Sequence, residues 1–318
     1  MSAPGNIYQR PEFATEFAVL HMAGGHVGLP LFVATMLLSK RVYGHYTMIN
    51  YCIIWIVFSI VFCLTVYDRH KNYSGAGASL CYVQAAMTQG AVPMATTGHV
   101  FLVIHIWEGL RMTPIAWTAQ NPKIWRAICV VSPYTVFAIF ALVTGIALAQ
   151  NPSLITRDGA FFCSLDHHPI NFIVPSYAAI LLLGSLIFEG FIVTKLVRHW
   201  RYFRQSRKVS KSVLSLITRV GLFSLYSIVV FGASAAFLAQ TAATWPYMIE
   251  ASLPTAAFVI FGTRPDVWKV WLFWRKDDPP QSQSTRSPSR TRASVSMPRF
   301  ELKTKEGAGS TEDTATLV

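Results

Sequence analysis

Seven apolar stretches, separated by hydrophilic segments, run along this 318-residue chain. A helix needs about 20 mostly apolar residues, at 1.5 Å rise each, to cross a bilayer. On that measure the crossings fall at 17–38, 48–67, 80–107, 125–149, 171–197, 213–239 and 247–262. The last is the shortest: Pro246 and Pro254 interrupt it and Arg264 closes it, yet 253–261 is too apolar for a loop. The expected fold is therefore all-α, a seven-transmembrane helix bundle.

Orientation follows from the basic residues, because short Lys/Arg-rich loops stay cytoplasmic. With the N-terminus outside, the exterior segments hold only Arg10, Arg69, Lys71 and Arg157 of the 27 basic residues. The interior set includes Lys40, Arg41, Arg111, Lys123, Arg126 and a dense run from Lys195 to Lys211. The net charge of +12 then reflects topology and attraction to anionic inner-leaflet lipids, which argues against nucleic-acid binding. A chain that is 53% hydrophobic and 13% charged fits the membrane class. The expected organisation is an extracellular N-terminus at 1–16, the transmembrane domain at 17–264, an amphipathic juxtamembrane helix at 265–276 and a disordered cytoplasmic tail at 277–318. The first helix is expected to act as its own targeting signal, since it is already as long as a span.

Two features bear on this orientation. Asn72-Tyr73-Ser74 is a glycosylation sequon, and it falls in a loop assigned to the exterior. Cys52, Cys63 and Cys129 lie within spans as small apolar groups, whereas Cys81 and Cys163 lie at exterior positions, where an oxidising compartment lets a disulfide persist.

The segments Met48-Ile49-Asn50-Tyr51-Cys52-Ile53-Ile54-Trp55, Leu80-Cys81-Tyr82-Val83-Gln84-Ala85-Ala86 and Val92-Pro93-Met94-Ala95, together with 253–263, Trp268 and Trp271, resemble an orphan family. Its members are the G-protein-coupled-receptor-like proteins of mushroom-forming fungi, distantly similar to the a-factor-type pheromone receptors. The similarity covers most of 17–274. It implies a plasma-membrane receptor, a heterotrimeric G protein as partner, and a Cys81–Cys163 bridge that pins the loop 150–170 over the bundle mouth. Two unrelated exterior cysteines are the alternative. The chain departs from animal rhodopsin-like receptors: the second span has no acidic residue, the seventh has no Asn-Pro-x-x-Tyr, and the third ends in Glu108-Gly109-Leu110-Arg111. The seventh span also has no lysine for a retinal Schiff base.

Intramembrane ionisable residues are costly and mark function. Glu189 and Arg219 sit at matching depth in the inner parts of the fifth and sixth spans, so an ion pair there would latch those helices. Glu108 and Arg111, at i and i+3, can pair locally or exchange with Arg219. The alternative is that all four snorkel to the interface. His21, His26, His99 and His105 are scattered singly and read as satisfying local hydrogen bonds rather than forming a proton relay. Pro30, Pro93, Pro133, Pro175 and Pro254 mark kinks, and Gly24-x-x-x-Gly28 offers a close-approach face.

A ligand pocket would open outward beneath the loop, lined by Gln84, Met87, Thr88, Tyr177, Trp245, Tyr247 and Glu250. Its apolar, aromatic character suits a hydrophobic or lipidated ligand. Asp166, His167 and His168 lie in the loop, but adjacent histidines present poor metal geometry, so no metal and no cofactor is expected. On the cytoplasmic side, Arg198, Arg201, Arg204, Arg207 and Lys208 alternate with aromatics and form a strip for anionic lipid or a G protein. Val267, Val270, Trp271 and Trp274 follow amphipathic spacing. Ser294, in Arg290-Thr291-Arg292-Ala293-Ser294, is a candidate for a basic-directed kinase. No catalytic signature is present, so an enzyme is not expected. A seven-helix transporter or lipid translocator, or a non-signalling relative, are the other readings.

Overall fold

A computed structural model describes residues 11–39, 46–67, 76–110, 118, 120–158, 162–165, 168–198, 210–238 and 245–272. Most of these are helical. Helix α1 (Pro11–His21) runs through a π-helical segment, Met22–Gly28, into α2 (Leu29–Leu38). There follow α3 (Tyr46–Phe62), α4 (Ala76–Gly109) and α5 (Pro122–Gln150). A short antiparallel hairpin, β1 (Ile155–Asp158) and β2 (Phe162–Leu165), leads into α6 (His168–Arg198). The described chain closes with α7 (Ser210–Leu238), α8 (Trp245–Ala251), α9 (Leu253–Gly262) and α10 (Pro265–Trp271).

Four helical stretches are long and apolar enough to cross a membrane: Ala14–Leu38, Ser79–Glu108, Pro122–Gln150 and Pro169–Lys195. Tyr46–Phe62, Ile217–Val229 and Tyr247–Gly262 are shorter and apolar. These features mark a helical membrane protein. The outer surface agrees, because α5 turns Val131, Ile139, Leu142, Val143 and Ile146 outward. A continuous apolar face of that kind is suited to lipid and would be a liability in water.

α4 is the structural hub, packing against α3, α5, α6 and β2. The core is strongly aromatic, with Phe17, Phe32, Tyr51, Trp55, Phe58, Phe223 and Phe261 all buried. Pro93, Pro133 and Pro175 lie inside helices that continue through them. The expected span at 247–262 is an apolar helical stretch, and the interruption foreseen at Pro254 appears as a one-residue turn at Ser252 between α8 and α9. Pro254 provides the reason: it has no N–H to carry the backbone ladder across that turn.

The π segment was not foreseen. It contains Gly24, Gly25 and Gly28, all buried, and a Cβ at Gly24 would lie 2.3 Å from the Thr255 backbone nitrogen. Backbone meets backbone at that point, which only glycine permits. The Gly24-x-x-x-Gly28 face therefore serves contact with α9 within the chain, since Gly28 abuts the Phe258 ring.

Candidate functional site

Cys81, near the start of α4, and Cys163, in β2, form a disulfide with their Cα atoms 5.3 Å apart. Cross-linking positions so distant in sequence restricts the unfolded chain and contributes about 2–4 kcal/mol. All four β2 residues are buried. Phe162 inserts between Phe17, Phe62 and Tyr247, with ring centroids at 6.0, 5.0 and 5.8 Å respectively. The hairpin thus plugs the space between α1, α3 and α8.

Gln84 explains how the plug is held. It is wholly buried, its Nε2 donates to the carbonyls of Val61 (3.1 Å) and Phe62 (3.0 Å), and its Oε1 accepts from the Cys163 backbone N–H at 3.0 Å. One amide therefore joins the end of α3, the wall of α4 and the disulfide strand. Placing Gln84 in a ligand pocket was incorrect: its donors and acceptor are already committed to backbone groups that would otherwise be buried unpaired.

The other residues assigned to that pocket divide. Thr88 is buried and donates to the Ala85 carbonyl in its own helix. Met87 packs against the core. Tyr177 hydrogen-bonds Thr97 at 3.0 Å and sets its ring against Phe140, while Tyr247 packs on Phe162. Trp245 begins α8, and its side chain lies outside the described set. Of these residues, Glu250 lines the cavity formed by the helices.

That cavity lies deeper, with a volume of about 80 Å³ and walls drawn from α3, α4, α6, α7, α8 and α9. Trp55, Ala95, His99, Leu182, Ser227 and Glu250 are among its lining residues. The lining is mostly apolar. Its volume falls well short of the ~300–1,000 Å³ of sites for drug-sized ligands.

At the far side of the cavity lies a buried polar network that the sequence reading missed. His99 Nδ1 is 3.2 Å from the Tyr51 hydroxyl and its Nε2 is 2.8 Å from Ser224 Oγ. Ser224 donates to Glu189 Oε1, which lies 3.7 Å from His99 Nε2. Four helices, α3, α4, α6 and α7, each contribute one member. His99 is roughly 27 Å along the axis from Cys81 at 1.5 Å per residue, so the network is remote from the hairpin. A buried set of this kind is stable only while every member remains paired.

His21 also draws its partner from another helix. It is fully buried, with Nδ1 3.2 Å from Ser59 Oγ, while Ser59 donates to the His21 carbonyl at 2.8 Å. Both His21 and His99 are hydrogen-bonded, with partners on other helices. Their positions on otherwise apolar helices were the available signal, but the helix rotation needed to identify partners was not.

Glu189 and Arg219 do not form the expected latch. Arg219 Nη1 donates to Thr263 Oγ1 at 2.9 Å and to the Ile260 carbonyl, and Nη2 donates to the Thr263 carbonyl at 3.1 Å. Its Nε reaches Ser215 on its own helix at 3.1 Å. The guanidinium thus caps the C-terminus of α9, where unpaired carbonyls attract a cation. Five N–H donors in a planar fork allow one side chain to serve all four acceptors. Glu189 is committed instead to Ser224 and His99.

Glu108 lies in the last turn of α4 and Arg198 ends α6, exposed. Asn72, Arg111, Asp166, His167, Arg201, Arg204, Arg207, Lys208 and Ser294 lie outside the described residues. Helix α10 begins at Pro265 as expected, buries Val267 and ties Trp271 Nε1 to Thr35 Oγ1 at 2.9 Å. Among the described residues, no group of three or more His, Cys, Asp or Glu is placed to hold a metal ion. No protein-family model matches the chain, and no curated protein is significantly similar to it.

Proposed function

We propose that this chain is a seven-helix, receptor-like protein of the plasma membrane, with its N-terminus outside, that senses an extracellular ligand and signals to a heterotrimeric G protein. The observation that carries the reading is the series of roles along α7. Ser227 lines the cavity, Ser224 joins the network with His99 and Glu189, and Arg219 caps α9. A ligand that moves the cavity wall therefore acts on the helix whose other part is tied to α9. Such a helix is an element that two sites can bias, as an allosteric device requires. The basic segment after α6, which includes Arg201, Arg204, Arg207 and Lys208, supplies charge for anionic lipid or a G protein.

The test is ligand-independent coupling in a yeast reporter strain carrying chimeric Gα subunits. Arg219→Ala should raise the basal signal by about fivefold or more, the lower end of typical coupling energies, at equal surface expression. Silence across every chimera, with normal surface levels, would end the receptor reading.

A transporter is the second reading, favoured by the ionisable pair His99 and Glu189 within the helices, since such pairs also carry protons. Proton flux in liposomes that is abolished by Glu189→Gln would support it over the receptor.

A further inference from the structure

Among the described residues that line the central cavity, Glu250 is the one carboxylate, and no lysine or arginine joins it. Most of the lining is rings and aliphatic groups. Tyr51, Trp55 and Phe58 follow one another at i, i+4 and i+7 on α3, the spacing of a single helix face. An acidic group in such surroundings, inside a membrane, is costly and marks function. Glu250 has an interaction within the protein, but a carboxylate carries two oxygens and about four acceptor positions. The other polar groups of the wall are largely committed: the Tyr51 hydroxyl and both His99 nitrogens belong to the buried network, and the Thr96 hydroxyl donates to carbonyls of its own helix at 3.1 Å. Glu250 on α8 and Ser227 on α7 therefore set the chemistry of a guest, and both offer oxygen acceptors.

A guest that gains from this wall donates hydrogen bonds and carries positive charge, which the ring faces of α3 also attract. Calcium or magnesium is a poor match, because each demands several oxygen ligands. Size narrows the organic cations. A dry cavity of ~150 Å³ accommodates benzene, and this one, at about 80 Å³, is half as large. It suits a guest of about three or four non-hydrogen atoms.

We propose that this cavity binds a short primary alkylammonium ion, whose N–H groups donate to Glu250 and Ser227 while its alkyl part lies against the α3 rings. Ammonium and carboxylate cancel in charge, which offsets the cost of burying either alone. Such a guest ties α8 to α7, the helix that carries Arg219. The proposal deepens the receptor reading by naming the ligand class, and rests on that reading for the consequence of binding. Its test uses no G protein, so each can fail alone: binding without coupling leaves a ligand site in a non-signalling protein, and coupling without binding leaves a receptor with another ligand.

The experiment uses the full chain in phosphatidylcholine nanodiscs, isotope-labelled at its leucine methyl groups. It is titrated with isopropylammonium chloride or, as a neutral match of equal size, 2-propanol with the same concentration of sodium chloride. Leu182 lines the cavity, and Leu182→Met assigns its resonance. Isopropylammonium should shift that resonance saturably and bind about tenfold or more tightly than 2-propanol, the scale of one hydrogen bond to a charged group. Glu250→Gln, which keeps the shape and removes the charge, should abolish the preference. Equal binding of amine and alcohol by the wild type would overturn the proposal, as would no saturable response to the amine or a preference that survives Glu250→Gln. If Glu250→Gln does not fold, Ala95→Val, which fills the cavity from α4, should abolish amine binding; binding that persists there places the amine elsewhere and overturns the proposal.

Discussion

Arg219 and Thr263 are joined twice, through the Thr263 hydroxyl at 2.9 Å and its carbonyl at 3.1 Å, so the C-terminal end of α9 is held by a side chain of α7. The joint lies near Pro265, which opens α10. Movement of α7 away from α9 has to break several charge-assisted hydrogen bonds together, which makes the joint suited to two discrete states.

Arg219→Lys is expected to fail as a replacement. Lysine retains the charge but presents three donors from a single nitrogen, too few and too close together for Ser215, Ile260 and both Thr263 groups. Spin labels on α7 and α9 should report a broadened distance distribution in the lysine variant and a narrow one in the wild type. An unchanged distribution would show that the cap does not hold the helices.

Gln84→Leu should be the most destabilising of the conservative changes at the hairpin end. It leaves the Val61 and Phe62 carbonyls and the Cys163 N–H buried without their partner, at about 1–3 kcal/mol for each such group. The midpoint of thermal unfolding in detergent should fall by several degrees. A loss no larger than that of an exposed change on α5, such as Leu142→Ala, would contradict the bracketing role.

Gly24→Ala and Gly184→Ala form a matched pair. A methyl group at Gly24 meets Thr255 backbone at 2.3 Å, whereas at Gly184 nothing lies within 4 Å. The first should cost about 1–3 kcal/mol through overpacking. The second should be neutral or stabilising by up to about 1 kcal/mol, since alanine loses less backbone entropy in a helix. Unfolding midpoints of the two variants that move together would contradict this close approach.

His99 and Glu189 should be coupled energetically. Changing either disturbs the network that Ser224 and Tyr51 complete, so a double-mutant cycle with His99→Ala and Glu189→Ala should return a coupling of about 0.5–3 kcal/mol. Strict additivity would mean that the two side chains act independently.

Reduction of Cys81–Cys163 is expected to release β2, and with it Phe162 from between Phe17, Phe62 and Tyr247. A cysteine introduced at Phe62, in a background lacking the native cysteines, should react with a water-soluble maleimide faster than the same cysteine in a protein retaining only the Cys81–Cys163 bridge. Equal labelling rates would show that the plug stays seated without the disulfide.

How much of this was legible in the sequence depended on whether the signal was local. Hydropathy is a sum over neighbouring residues, so the positions of the apolar helices emerged to within a few residues, as did the start of α10 at Pro265. The Cys81–Cys163 bridge came from the family resemblance, and its loop was foreseen as a lid. Its depth was not, because whether Phe162 sits over the helices or between them depends on the room left by Phe17, Phe62 and Tyr247.

The sequence by itself determined that this is a helical membrane protein, because long apolar runs leave few ways to satisfy backbone hydrogen bonds in lipid. Only the tertiary structure decided which polar groups meet. A helix that is apolar nearly all round, as α4 and α6 are, encodes little about its rotation. Shifting one residue turns a side chain by about 100°, enough to take His99 from Glu189 to lipid. For the same reason Arg219 and Glu189, at matching depth on neighbouring helices, looked like partners in sequence, yet face different neighbours once the helices are packed.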